Sequence, residues 1–215
     1  MLEKLKEEVW KVNIELPENH LVVMTSGNAS GRDFETGFVI IKPSGVKYEE
    51  LSPSDLVVVD IDGNIIEGNL KPSVDTQAHL YIYKQLKEIG GIVHTHSTYA
   101  TAFAAMGRGI PLYLTELGDL FGGPIPISKY VPPGDEAIGK EFAKKTRPGR
   151  FRGILMKNHG VFAAGKTPLD ALKAAVTIEH SARISYLAEM DGNPEELSME
   201  EAKRLNKKYT ENYGQ

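Results

Sequence analysis

Across Gly90-Gly91 the chain changes its hydrophobic period, and this switch constrains the fold more than any other feature of the sequence. Before it, Ala78, Ile82, Leu86 and Ile89 recur at helical spacing from Asp75 onward. After it comes Ile92-Val93-His94-Thr95-His96, a short run suited to a strand. Paired glycines end a helix readily because they tolerate backbone conformations that other residues resist. A helix that feeds directly into a strand is a unit of an α/β fold.

The remaining segments extend that pattern. Leu2, Leu5 and Val9 predict an amphipathic opening helix that Pro17 stops. Residues 38–41 and 56–60 predict strands, and Ile65-Ile66 after Asp62-Gly63-Asn64 predicts a hairpin, so the early sheet should be antiparallel. Helices are predicted over 98–106, 135–145 and 168–190, the last with Pro168 in its first turn, where the missing N–H costs nothing. Extended pieces are expected near Leu112 and Ile125. Residues 153–157 and 161–164 predict paired strands around Asn158-His159-Gly160. The expected fold is therefore α/β: a single domain over residues 1–215 with a central mixed, largely antiparallel sheet flanked by helices. A charged helix from Met199 should close the chain and fade toward Gln215.

Composition removes whole classes of function. With 25 basic against 29 acidic residues the net charge is -4, which offers polyanions no long-range attraction, so neither nucleic acid nor a membrane surface is an expected partner. No 18 apolar residues run together, and the first ten residues are charged throughout, so a cytoplasmic location is expected. The absence of cysteine excludes disulfides, thiolate zinc sites and a cysteine nucleophile. Any metal must then be held by histidine and carboxylate.

His94 and His96 stand two apart on a predicted strand and should project from one face, so that two imidazoles can reach one ion. The alternative is a pair of ordinary polar residues at a strand end. His159, in a tight turn between two apolar strands, is a candidate third ligand. Three neutral imidazoles suit zinc, and cobalt, nickel or manganese less selectively. His79 follows Asp75 by four residues on one helix face and is expected to hydrogen-bond with it. His180 is read as a packing or surface residue, and His20 as a loop residue without a partner. Ser26-Gly27-Asn28-Ala29-Ser30-Gly31 can offer backbone N–H groups and hydroxyls to a phosphate. Lys-Pro-Ser occurs twice, at 42–44 and at 71–73, the second just ahead of the helix that opens with Asp75. These are either anion contacts or helix caps and turns with their lysines in solvent.

Read in order, Thr25-Ser-Gly-Asn-Ala-Ser30, Ile41-Lys-Pro-Ser-Gly45, Lys71-Pro-Ser-Val-Asp-Thr76, Gly91-Ile-Val-His-Thr-His-Ser97 and Asn158-His-Gly160 resemble the class II aldolase/adducin family across nearly the whole chain. Within it the chain is most similar to the pentulose-phosphate epimerases. Asp75 stands where the related L-fuculose-1-phosphate aldolases carry glutamate, and the ending Tyr213-Gly-Gln215 is similar too. The resemblance implies Zn2+, or another divalent ion such as Co2+, Ni2+ or Mn2+, on His94, His96 and His159, with Asp75 as a further ligand. It implies substrate phosphate on Gly27, Asn28, Lys42, Ser44, Gly45 and Ser73, and an acid/base pair of Asp119 and Tyr213. It also implies a homotetramer with active sites at subunit interfaces, the tail 199–215 reaching one of them. The implied activity interconverts L-ribulose 5-phosphate and D-xylulose 5-phosphate, a step of arabinose metabolism, by retro-aldol and aldol chemistry at carbon 4. The alternatives are an aldolase cleaving a sugar phosphate such as L-fuculose 1-phosphate, and a non-catalytic adducin-like interaction module. Val74 departs from the epimerase pattern, which has a second serine there.

Overall fold

In the computed structural model, which describes residues 2–212, strand order is what gathers the site. The strands are β1 (Asn28–Arg32), β2 (Val39–Ile41), β3 (Val57–Val59), β4 (Ile65–Glu67), β5 (Gly91–Thr95), β6 (Phe151–Met156) and β7 (Gly160–Gly165). They form one sheet in the order β4-β3-β2-β1-β5-β7-β6. Every pairing between these strands is antiparallel, and the bridge between Ile127 and Leu155 is parallel. The largely antiparallel sheet expected from the early hairpin is therefore present.

Helices cover the two faces. Among the described residues they are α1 (Leu2–Glu18), α2 (Thr76–Gln85), α3 (Thr98–Ala105), α4 (Thr115–Phe121), α5 (Glu136–Lys145), α6 (Pro168–Asp191) and α7 (Met199–Asn212). Alternation along the strands sorts the core. Val93, Val161 and Ala163 pack with residues of α3, α4 and α6 on one side. Ile92, Phe162 and Ala164 pack with α2 and α5 on the other, and Val9 of α1 lies over Ile40 and Val58. The amphipathic tail helix α7 docks on α4 of its own chain, where Ala202 is fully buried. No helix among the described residues is long and apolar enough to cross a membrane.

Three boundaries differ from the sequence reading, the first being β5, which ends at Thr95 and leaves His96 just beyond the strand on which it was expected. Pro17 lies inside the last turn of α1, which runs on to Glu18, because a proline so close to the end removes only one helical hydrogen bond. Helix α2 ends at Gln85 rather than near Ile89: Leu86 leaves helical geometry at φ -116° and ψ 86°, and Ile89 drops into the core.

His79 also departs from expectation. Its imidazole does not take an Asp75 side-chain bond; Nδ1 lies 2.7 Å from the Ser30 hydroxyl, itself 2.9 Å from the Tyr83 hydroxyl. The helix turns His79 inward against the sheet, where Phe162 meets it edge-on at 5.7 Å. Complete burial pushes the imidazole down to about 3, outweighing the opposing charge of Asp75, while His94 adds to the lowering. The unfolded chain, with a histidine value of about 6.5, takes up a proton that the folded chain refuses. Stability from His79 is thus complete above pH 6.5 and is lost as the pH falls toward 3. The loss from pH 7 to pH 5 should be about 2 kcal/mol. Denaturant unfolding of His79→Gln should vary less with pH than that of the parent by about this amount, and equal pH slopes would refute the assignment.

Candidate metal centre

Register brings the functional segments to one end of the sheet. Asn28 at the start of β1 faces His94 near the end of β5, and His94 faces Phe162 of β7. The β6–β7 turn carries His159 at the same end, after Asn158 in a left-handed conformation at φ 59°. The turn after β2 and the segment leading into α2 join there through a short antiparallel bridge between Pro43 and Pro72. The Ser44 N–H donates to the Lys71 carbonyl and the Ser73 N–H to that of Lys42, so the two Lys-Pro-Ser copies pair with each other.

The three histidines converge. Their ligating nitrogens all lie within 4.8 Å of one another. His94 and His96 bring their Nε2 atoms to 2.9 Å, and the His159 ring centroid is 4.8 Å from that of His94. His94 is buried and stacks on Phe162 at 4.3 Å. Its Nδ1 lies 2.8 Å from the Val161 carbonyl, which can only accept; Nδ1 carries the proton and Nε2 presents its lone pair to the site. Two bare nitrogens at 2.9 Å repel unless a proton or a cation stands between them. Burial holds all three imidazoles below the ordinary histidine range, His94 furthest, and neighbouring imidazoles add to this at His94 and His159. Three neutral, convergent nitrogen donors fit a divalent ion of the zinc type.

Asp75 sits at the edge of this triad rather than within it. Its Oδ2 is 3.9 Å from His94 Nε2 and accepts a 2.9 Å hydrogen bond from Asn28 Nδ2, which also donates to Ser73 Oγ at 3.0 Å. The Asn28 Oδ1 atom is buried without a partner. A cavity of about 320 Å³ opens over these groups, lined by Gly27, Asn28, Lys42, Ser44, Gly45, Ser73, Asp75 and the three histidines. Gly27 is held at φ 76°, and a Cβ there would meet Val22 Cγ1 at 2.5 Å and the His94 carbonyl at 2.8 Å. A Cβ on Gly160 would come within 2.3 Å of the Thr95 carbonyl, so the glycine lets the His159 turn close onto β5.

Lys42 is placed differently from a simple solvent-facing anion contact. It is only 1% exposed, and the ammonium donates to the Val46 carbonyl at 2.6 Å and sits 4.7 Å over the Tyr48 ring. Burial lowers its pKa. The Tyr48 hydroxyl in turn reaches the Ser26 and Gly27 carbonyls at 2.8 and 3.0 Å. Tyr48 and Pro133, which lines the cavity from the α4–α5 connection, carry no motif in the sequence that marks them. Val74, 69% exposed, lies on the same rim as Pro133.

Asp119 is not brought to this cavity. It lies on α4 in a separate cleft of about 590 Å³ with Glu116, Lys173, Lys208 and Tyr209. Burial holds its carboxyl above the usual carboxylate value; Lys208 opposes the shift and Glu116 adds to it. Tyr213 falls outside the described residues. His180 is exposed on α6, 3.9 Å from Glu116, and His20 is exposed after α1, as the sequence suggested.

Residues 7–186 match the model of the class II aldolase and adducin N-terminal domain. The chain belongs to that family. It is 41% identical over 198 residues to L-ribulose-5-phosphate 4-epimerase UlaF of Salmonella paratyphi B, covering 87% of this chain and 86% of that protein. A solved L-fuculose 1-phosphate aldolase superposes with a TM-score of 0.90 at 32% identity, covering 96% of both chains. The L-fuculose-1-phosphate aldolase of Thermus thermophilus gives 0.74 at 27% identity, over 90% of this chain and 100% of that one.

Replacing His96 by alanine leaves two imidazoles and should weaken Zn2+ binding by about 100-fold or more while the fold survives. Metal analysis of purified protein after dialysis against Zn2+ checks this. Full retention of the ion would remove His96 from the ligand set.

Proposed function

We propose that this chain, one class II aldolase-like domain throughout, is a metal-dependent epimerase that interconverts L-ribulose 5-phosphate and D-xylulose 5-phosphate. The observation that carries the reading is the convergence of three neutral imidazoles and a polar, glycine-containing cradle in one cavity, in a chain so similar to a named epimerase. In a 2-ketopentose the ketone acidifies the hydrogens on carbons 1 and 3 and leaves carbon 4 without an acidic proton. Inversion there therefore proceeds by opening and remaking the bond between carbons 3 and 4. A Zn2+ ion held by His94, His96 and His159 would supply charge stabilisation for the electron pair left on the three-carbon fragment.

The chain's own groups account for the rest. The backbone at Gly27 and Gly45 and the hydroxyls of Ser44 and Ser73 hold the phosphate, so the released two-carbon aldehyde stays in place while it rotates. Lys42 adds positive charge from behind the 43–46 turn. Asn28 keeps the Asp75 carboxylate turned to the edge of the triad, where an incoming hydroxyl can displace it. Opening the bond requires a base to take the proton from the carbon 4 hydroxyl, and remaking it requires an acid to return one. The two epimers present that oxygen to opposite sides, so two groups serve, Asp119 and Tyr213. Asp119 belongs to a cleft separate from the cavity. In this reading it acts on the cavity of a neighbouring copy in a homotetramer in the cytoplasm.

The aldolase alternative keeps the same cleavage and differs in letting the fragments go; the TM-score of 0.90 to an L-fuculose 1-phosphate aldolase is what favours it. Carbon-13 NMR of Zn2+-loaded protein with labelled L-ribulose 5-phosphate separates the two. Conversion to D-xylulose 5-phosphate without free fragments is expected, whereas accumulation of dihydroxyacetone and glycolaldehyde phosphate would make the protein an aldolase. Removing residues 213–215 should lower turnover by about 10²-fold or more while metal content stays unchanged. Unaltered turnover would retire Tyr213 as an acid/base.

A further inference from the structure

Among the three imidazoles, His94 is fixed by a strand and His159 by a hairpin turn, but His96 lies on a connection. β5 ends at Thr95 and α3 begins at Thr98. Upstream, the His96 N–H donates to the Leu21 carbonyl at 3.1 Å. Downstream, the sequence makes no local provision. Ser97 occupies the N-cap position of α3 without a side-chain cap bond, and its buried hydroxyl has no partner. A helix of eight residues with open N-terminal amides cannot by itself hold the residue two places ahead of it rigid.

The missing cap arrives from another helix. Glu179 of α6 accepts from the Tyr99 N–H with Oε1 and from the Ala100 N–H with Oε2, both at 2.9 Å. A carboxylate is favoured there by the open amides and by the helix dipole, and use of both oxygens fixes its orientation. Helix α6 is itself anchored: small residues such as Ala171, Ala174, Ala175 and Ala182 are buried against the sheet, and Thr167 caps its start. Glu179 therefore ties the first turn of α3 to the longest helix of the fold.

We propose that Glu179 is a positioning residue for His96, clamping the start of α3 so that the 96–98 connection holds the His96 imidazole beside that of His94. This rests on the reading of the three imidazoles as a metal site. Glu179 does not line the cavity, so it acts through the Tyr99 and Ala100 amides rather than on metal or substrate.

The test measures Zn2+ affinity by competition with a chromogenic chelator and records the visible spectrum of the Co2+-loaded protein, whose bands report ligand geometry. Glu179→Ala is expected to weaken Zn2+ binding on the order of 10-fold. Glu179→Gln, which keeps one acceptor oxygen, should weaken it less, and the Co2+ bands should shift in both. Thr167→Ala is the control. It removes the cap on the Asp170 N–H at the start of α6 and should lower the unfolding temperature while leaving affinity and spectrum as in the parent. Parental affinity and spectrum in both Glu179 variants would overturn the positioning role and leave the metal site standing. An equal loss in Thr167→Ala would also overturn it, since general loosening would then suffice. A parent protein that binds neither ion overturns the metal reading and this inference together. If Glu179→Ala fails to fold, Glu179→Gln against Thr167→Ala decides the matter by the same criteria.

Discussion

The hydrogen bond from His94 Nδ1 to the Val161 carbonyl is the contact on which the site depends. It joins neighbouring strands through a side chain. It also decides which nitrogen of the imidazole is bare, because a carbonyl cannot donate. With Phe162 stacked on one face, the ring has neither rotational freedom nor a choice of tautomer. Everything else at that end of the sheet is placed relative to this ring: Asn28 by register across β1 and β5, His159 by the turn into β7, His96 by the connection into α3.

Buried polar atoms without a protein partner occur across the described residues, at Arg32, Arg152 and Ser185 as well as at this end of the sheet. Asn28 Oδ1, His159 Nδ1 and Ser97 Oγ are all buried and unpaired, and each lies at or next to the candidate centre. Unpaired buried polar groups cost free energy, typically about 1–3 kcal/mol each. The strands beneath are closely packed with Val, Ile and Ala, and α6 covers them with a run of buried alanines.

The parts of this arrangement that were legible from the sequence are those set by local rules. The strand start at Gly91, the hairpin at 62–64 and the Pro168 start of α6 all follow from periodicity and turn chemistry and appear close to their expected places, while the preceding helix ends earlier, at Gln85. The convergence of His94 and His159 was recognisable because a strand and a tight turn leave few directions for their side chains, whereas His96 was expected on the strand and lies on the connection just beyond it. Partnerships set across the fold were not legible. Nothing near His79 announces Ser30, 49 positions away, and the local candidate Asp75 misled because the helix turns His79 toward the sheet. For Lys42 the sequence left an anion contact and a solvent-facing lysine as alternatives, and neither announces the Tyr48 ring and the Val46 carbonyl that enclose it. Glu179 and His96 lie 83 positions apart, and only the packing of α6 against α3 relates them.

Net charge and cavity lining differ in this molecule, and the contrast bears on the ligand proposed for it. The chain as a whole is acidic, with a net charge of -4, so it has no field to gather polyanions. Inside the cavity the balance is different: Lys42 and Asp75 offset each other, and a cation held by the three imidazoles would make the lining positive. Three neutral imidazoles would leave the charge of a divalent ion uncompensated by themselves, and Asp75, hydrogen-bonded by the neutral amide of Asn28, is the one carboxylate among the described residues that line the cavity. Lys42 adds a buried cation whose nearest acceptors are neutral carbonyls. With such an ion bound, a small anion entering the cavity of about 320 Å³ would meet a concentrated positive potential. On the proposed function, preference for a compact sugar phosphate over nucleic acid would follow from where the charge is buried, not from how much of it the chain carries.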